Sequence, residues 1–242
     1  MKVSLFIPCL TDLFFPSTAW SVVRVLERLG IDVVYDPRQT CCGQPAFNTG
    51  YHRDAVVCAE HFLDVFHEAE CIVAPSGSCV AMIRDYSSGM LRLPDRYRRL
   101  AERLKDRVWE FTSFLVDHLG VTEVDAEFPG RVALHDSCHA LRLLGIRAQP
   151  RALLKRVRGL ELVELGRTGV CCGFGGTFAV KFADISTEIG KEKIRDILDA
   201  QVRTVTAVDS SCLMQIDGLL RKTGSTTTTV HIADILASTG QP

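Results

Sequence analysis

QTCCGQPAFNTG (residues 39–50) and GVCCGFGGTFAV (residues 169–180) carry a Cys-Cys-Gly triplet twice in one chain. Outward from each triplet, the cysteines fall into two sets that superimpose. Cys9, Cys41, Cys42 and Cys79 map onto Cys138, Cys171, Cys172 and Cys212. The spacings are C-x31-CC-x36-C and C-x32-CC-x39-C, so the offset drifts only from 129 to 133 residues. The flanks repeat as well: VSLFIPC matches VALHDSC, IDVVYDPRQTCCG matches LELVELGRTGVCCG, and CIVAPSGSC matches VTAVDSSC. Duplicated sequence implies duplicated structure. Two pseudo-equivalent lobes are expected, residues 1–125 and 126–242.

Each half alternates short apolar, β-branched runs with segments of helical period. Strands are expected at residues 3–7, 32–35 and 71–74, then at 132–135, 160–165 and 205–209. Helices are expected near 17–29, 52–68, 150–157 and 184–200. Such alternation predicts an α/β fold with a small parallel sheet and covering helices in each lobe. The cysteines of both sets then fall at the carboxyl ends of strands or in the loops after them, where open α/β sheets place ligands. Four thiols distant in sequence thereby converge at one rim of each lobe. Residues 92–107, RLPDRYRRLAERLKDR, read as a basic helix of the lobe connection with a solvated charged face. STTTT at 225–229 leads into a last strand.

The composition narrows the function classes. With 47% hydrophobic and 24% charged residues the chain is an ordinary globular protein and not a disordered one. Its 28 Lys and Arg against 29 Asp and Glu leave no basic footprint for nucleic acid or an anionic membrane surface. The opening MKVSLFIPC has a short apolar run, no Ala-x-Ala-like cleavage site, and Pro8 directly before Cys9, and reads as a first strand. No run approaches the roughly 18 apolar residues of a membrane span, and the cytoplasm is the expected compartment. Ten cysteines in a chain of this size without an export signal point to metal or redox chemistry before disulfides.

Thiolates are soft ligands that suit zinc, copper(I) and iron–sulfur clusters, and four of them fill a tetrahedral ion or a cubane cluster. Zinc sites usually draw on C-x2-4-C knuckles, and neither half contains a C-x-x-C. Two adjacent cysteines project in different directions, which suits a cluster several ångströms across better than one small ion. Gly43 and Gly173 permit a positive φ and a close approach of the backbone to a bulky cofactor. The segments after Cys79 and Cys212 are expected to start helices, whose N–H groups favour an anionic site.

The duplicated Cys…CCG…Cys plan resembles the cysteine-rich CCG-domain family. That family includes the cysteine-rich component of heterodisulfide reductase, the iron–sulfur components of glycolate oxidase and anaerobic glycerol-3-phosphate dehydrogenase, and a cysteine-rich component of succinate dehydrogenase. CCGQPAFNTG, PSGSC, HDSCH, CCGFGGTFAVK and DSSCLMQIDG are most similar to its lactate-utilisation members. The resemblance covers essentially the whole chain. It implies one or two iron–sulfur clusters of 4Fe-4S type on the eight paired cysteines, and electron transfer in the oxidation of L-lactate to pyruvate. The implied partners are a second iron–sulfur protein, a third subunit and a small α-hydroxy acid. Three alternatives stand beside it: a subunit of a glycolate-type oxidase, a catalytic heterodisulfide-reductase-like cluster protein, and a zinc-stabilised structural module.

The chain departs from the longest form of the family motif, which ends in C-x-x-C and supplies a fifth thiolate. Ser76 and Asp209 stand where that form has its extra cysteine. Each is either an oxygen ligand or a hydrogen-bonding, turn-forming group. His135 and His139 bracket Cys138 and, with Asp209, are the proton-handling candidates; the alternative for the histidines is structural hydrogen bonding. Cys58 and Cys71 have no counterpart in the second half and read as small buried hydrophobes. His52, His61, His67, His118 and His231 have no spacing that singles them out. GFGGTF fits neither nucleotide-loop pattern, and no Ser-His-Asp set, carboxylate pair or flavin signature emerges.

Overall fold

The computed structural model describes residues 1–239, so the last three residues of the expected second lobe lie outside it. The first half runs β1 (Lys2–Leu5), α1 (Cys9–Phe14), α2 (Pro16–Arg28), β2 (Asp32–Tyr35), α3 (Gln44–Asn48), α4 (His52–Phe66), β3 (Ile72–Ala74), α5 (Gly77–Arg84), α6 (Asp95–Leu104), β4 (Val108–Glu110) and α7 (Phe111–Ser113). The second runs β5 (Glu127–Leu134), α8 (Cys138–Leu143), α9 (Ala148–Leu154), β6 (Arg158–Val163), α10 (Phe178–Lys181), α11 (Ala183–Asp199), β7 (Thr204–Ala207), α12 (Ser210–Lys222), β8 (Thr228–His231) and α13 (Ile232–Ala237). Two parallel four-stranded sheets result, ordered β2-β1-β3-β4 and β6-β5-β7-β8. The orders are the same element for element, as a duplication requires.

Local chemistry accounts for the main elements. Pro16 at the first position of α2 presets the helical φ, and Val22, Val25 and Leu26 repeat at i, i+3 and i+4 to form its buried face. β3 and β7 are buried along their whole length, the mark of a central parallel strand. β5 begins five residues before its expected start, because Pro129 and Gly130 break its register with β6 and interrupt the apolar pattern.

The basic stretch at 92–107 is corrected by the structure. Helix α6 within it is a crossover inside the first sheet, between α5 and β4, and not a connection between halves. Tyr97, Ala101 and Leu104 bury one face while the arginines face out. The strand that follows, β4, reads VWE: its glutamate breaks the apolar run that marks the equally short β3, which hid it.

The two halves share a core. Val3, Leu5, Val22 and Leu26 from the first pack in one cluster with Val132, Leu134, Ile232 and Leu236 from the second. At about 1.5–3 kcal/mol for each fully buried aliphatic side chain, this cluster binds the halves together. Arg28 fastens the same seam, its guanidinium donating to the carbonyls of Val124, Asp125, Leu236 and Ala237. Near the thiols, α5 meets α8 so closely that a Cβ on Gly77 would lie 2.6 Å from Ala140 Cβ.

Candidate metal centre: two thiol sets on one cleft

Each thiol set is assembled by three strand ends. After β1, Pro8 turns the chain so that Cys9 opens α1; after β2, Cys41 and Cys42 lead into the Gly43 turn; after β3, Cys79 sits in the first turn of α5. Cys138, Cys171, Cys172 and Cys212 repeat this after β5, β6 and β7. α5 and α12 begin two residues before their cysteines and not after them, so Cys79 and Cys212 lie within the positive ends of these helices.

Gly43 and Gly173 adopt the expected positive φ, +81° and +89°. Their neighbours add a second reason for their smallness. A Cβ at 43 would meet the Ala55 carbonyl oxygen at 3.0 Å on α4, and one at 173 would meet the Ser186 carbonyl oxygen at 2.3 Å on α11. Glycine is needed here to pack the turn against a helix. The turn then aims its own amide at sulfur: Gly43 N–H donates to Cys41 Sγ at 3.4 Å, and Gly173 N–H to Cys171 Sγ at 3.3 Å.

Three thiols of each set share one electrostatic pattern. The approach of the Cys42 and Cys9 thiols, with the Gly43 amide, holds Cys41 down to about 3. The donating Cys9 and Cys42 are pushed well above the ordinary thiol range. Cys138 and Cys172 likewise hold Cys171 down to about 2 and are themselves raised. Cys212 is lowered to about 6 by Cys172 and, against its burial, by the His135 imidazole. Each set thus contains a ready thiolate ringed by thiols, which is the donor chemistry of a soft metal or iron–sulfur site.

Both sets open onto one cleft, an arrangement the repeat did not reveal. A cavity of about 420 Å³ between the halves is lined by seven of the eight cysteines, all but Cys41. Phe14, Phe174, Val180 and Met214 supply apolar walls. At its floor Ser76 and Asp209 form an antiparallel bridge across the pseudo-symmetry axis. Asp209 Oδ1 accepts from Ser76 Oγ (2.8 Å), Ser78 Oγ (2.8 Å) and Ser78 N–H (3.0 Å), while Oδ2 has no partner among the described residues. Ser76 Oγ also caps α5, accepting from Cys79 N–H at 3.3 Å.

The histidines separate. His135 is buried beside Cys212, which it helps to lower, and one of its nitrogens lies with the Cys172 and Cys212 sulfurs in a group spanning no more than 4.8 Å. His139 Nδ1 lies 3.5 Å from Cys138 Sγ. His52 packs on Phe47, His118 stacks on Phe114, and His61 and His67 meet the carbonyls of Arg38 and Asp64. Cys71 is buried and pushed up to about 11 by desolvation, and Cys58 lies under the Gly43 turn. Two residues passed over in the sequence matter more. Glu110 and His231 end β4 and β8, are buried, and cap α7 and α13. Carrying the internal repeat one strand further aligns VWEFTS with TVHIAD and brings them into register.

A duplicated parallel α/β fold that brings seven clustered thiols to one cleft defines a two-lobed cysteine-rich protein whose donor set suits a metal. The chain belongs to the cysteine-rich CCG domain family, whose pattern matches residues 3–84 and again 132–217. It is 45% identical over 237 residues to Lactate utilization protein A of Exiguobacterium sp., covering 97% of this chain and 96% of that protein. It is 42% identical over 236 residues to Lactate utilization protein A 1 of Bacillus mycoides, covering 98% and 96%. Among solved structures, a hypothetical protein from Helicobacter pylori superposes with a TM-score of 0.68 at 12% identity, a likeness of fold alone. The match covers 100% of this chain and 49% of that one, so the chain spans about half its length.

Proposed function

We propose that this chain is an iron–sulfur electron-transfer subunit of a multiprotein system that oxidises L-lactate to pyruvate. Cys9, Cys41, Cys42 and Cys79 hold one 4Fe-4S cluster and Cys138, Cys171, Cys172 and Cys212 a second. A bound cluster supplies one-electron chemistry at each site. The chain's own residues do the rest: the Gly43 and Gly173 amides donate to ligand sulfur, the Ser76 hydroxyl fixes the first turn of α5, and the apolar walls exclude water. His135 and His139 handle protons beside the second set.

The observation that carries this reading is the convergence of seven thiols on one apolar cleft. Among the described residues lining it there is no Arg or Lys. A hydroxy-acid carboxylate placed there loses its hydration without a charged partner, which favours electron relay over substrate binding at the thiols. The relatives named for lactate utilisation supply the substrate. A second iron–sulfur protein and a third subunit complete the system. All ten cysteines are free, in accord with the reducing cytoplasm, and no helix among the described residues is long and apolar enough to cross a membrane. In this view residues 1–125 and 126–242 are two copies of one unit.

One observation favours a zinc-stabilised module instead: the His135, Cys172 and Cys212 group supplies three donors towards a tetrahedral site. Anaerobic purification followed by iron, acid-labile sulfide and zinc analysis, with EPR after reduction, separates the two. About four iron and four sulfide per occupied set supports the cluster. Stoichiometric zinc without sulfide overturns it.

A further inference from the structure

The two thiol sets match in most of what sets the reduction potential of a thiolate-bound cluster, namely solvent exposure and the donors aimed at sulfur. Their burial agrees thiol by thiol. Cys9 and Cys41, like Cys138 and Cys171, are half-buried, while Cys42 and Cys79, like Cys172 and Cys212, are buried. The backbone donors agree as well, since Gly43 N–H reaches Cys41 Sγ at 3.4 Å and Gly173 N–H reaches Cys171 Sγ at 3.3 Å. Cys79 and Cys212 sit in the first turns of equivalent helices, α5 and α12. Two further differences are contained by their partners. Asp209 stands for Ser76, and its Oδ1 is taken up by Ser76 Oγ, Ser78 Oγ and Ser78 N–H of the first half. Asp136 is closed in a bidentate pair with Arg151.

The side chains on either side of the first cysteine do not match. With Cys9 aligned on Cys138, Phe6 corresponds to His135 and Leu10 to His139. Phe6 and Leu10 are hydrocarbon and offer sulfur no donor. His139 Nδ1 lies 3.5 Å from Cys138 Sγ, and a ring nitrogen of the buried His135 lies within 4.8 Å of both the Cys172 and the Cys212 sulfurs. Cys212 is held low by Cys172 and then by His135, in accord with an N–H turned to that sulfur. Tyr86, buried in the first half, spends its hydroxyl on the Cys42 carbonyl at 2.6 Å and not on a thiol. Metal-bound thiols have lost their protons, so these sulfurs can only accept, and the ring nitrogen facing each one carries the hydrogen. The second set thus has N–H donors where the first has hydrocarbon.

We propose that His135 and His139 raise the reduction potential of the second set above that of the first, so that an electron entering the chain settles on the second set. This rests on the iron–sulfur reading above, in which partner subunits oxidising the hydroxy acid supply the electrons. Reduction adds one negative charge, and an N–H aimed at sulfur stabilises the reduced form more than the oxidised one. In the transfer the first set is oxidised as the second is reduced; one electron moves, and no covalent bond forms or breaks. The duplicated fold then holds an unequal pair, which gives electron flow along the cleft a direction.

The test is a redox titration of the full-length, anaerobically prepared protein at one fixed pH, followed by EPR. Alongside it runs the double variant His135→Phe, His139→Leu, which gives the second set the residues of the first. Two reduction steps are expected in the wild type. Equal centres on one cleft also split their steps by repulsion, so the deciding quantity is the response of the upper step. In the double variant it is expected to fall by about 59 mV or more, the equivalent of a tenfold or greater loss in the second set's hold on one electron. An upper step that does not move overturns the proposal. Should the variant fail to fold or to bind iron, pulsed EPR of wild-type protein carrying histidine isotope-labelled at the ring nitrogens decides. At half-reduction the signal of the first electron is expected to show coupling to a labelled nitrogen, and a signal without it overturns the proposal. Protein free of iron and sulfide overturns both this and the cluster reading, whereas iron-loaded protein whose upper step ignores both histidines overturns this alone.

Discussion

Residues 6–10 read Phe-Ile-Pro-Cys-Leu, and residues 135–139, their equivalents, read His-Asp-Ser-Cys-His. The backbone does the same work in both: a strand ends, the chain turns, and a cysteine opens a helix. The surroundings differ completely. Phe6 packs edge-on against Phe62 and Phe66, at 5.0 and 5.8 Å between ring centroids. His135 in its place stands beside Cys172 and Cys212, and Asp136 is held in a buried bidentate pair by Arg151, with both bonds at 2.8 Å. Burying a polar ring costs free energy, and Phe6 shows that the fold does not require one there. The thiol geometry is common to both copies, while one copy is dry and the other is equipped to hold charge.

The largest effects test whether the two sites are independent. Cys42→Ser and Cys172→Ser each remove a central thiolate from one set. Each is expected to lose its own set's metal, about half the iron and sulfide of the chain, while the other set keeps its share. Metal analysis of both variants reads this directly. Full loss in either single variant means that the cleft holds one coupled centre, and no loss in one removes that set from the assignment.

Next come the turns behind the thiols. Gly43→Ala and Gly173→Ala both force a positive φ on alanine, which costs about 1 kcal/mol or more. The steric part differs: contact with a backbone oxygen at 3.0 Å can be relieved by a small shift, whereas one at 2.3 Å cannot. With overpacking at about 1–3 kcal/mol, Gly173→Ala is expected to lose about 4 kcal/mol and Gly43→Ala about 2. Urea midpoints compare them, and equal losses would mean that α11 yields as readily as α4.

The duplication and the thiol sets were legible because cysteine is rare and its spacings survive small insertions. β3 and β7 were legible because a central parallel strand is apolar along its length. β4 was not, because VWE is no longer than β3 but ends in a glutamate and offers no continuous apolar run. Nor was the meeting of the two rims. It depends on the core shared by α2 and α13 and on contacts such as Gly77 against Ala140, which join residues far apart in sequence and leave no periodic trace. Glu110 and His231 escaped because each is a single polar residue closing a short strand, with no spacing that marks it.

Those two residues are expected to tilt stability with pH in opposite senses. Glu110 has its folded value raised from 4.5 to about 7, so the folded chain binds more protons than the unfolded one in that window. Stability from this group is full below about pH 4.5 and is lost as pH rises through 7, about 3 kcal/mol in all. His231 has its value lowered from 6.5. Its contribution is present at higher pH and is lost as pH falls below 6.5. Denaturant melts of Glu110→Gln and His231→Asn across pH 4 to 8 check this: the first is expected to remove the loss on the alkaline side, the second the loss on the acid side.

The smallest effect settles what Ser76 does. Ser76→Ala deletes one of three donors to Asp209 Oδ1 and the cap on Cys79 N–H, leaving Ser78 to hold the carboxylate through two bonds. A loss of about 1 kcal/mol is expected from the missing hydrogen bonds, with the metal content of both sets unchanged. A cap and a ligand are distinguished by which quantity moves. If stability falls slightly and iron stays, Ser76 belongs to the seam and the first set rests on four thiolates. Selective loss of iron from the first set would instead make its hydroxyl a fifth ligand, and the two halves would then differ in coordination as well as in their surroundings.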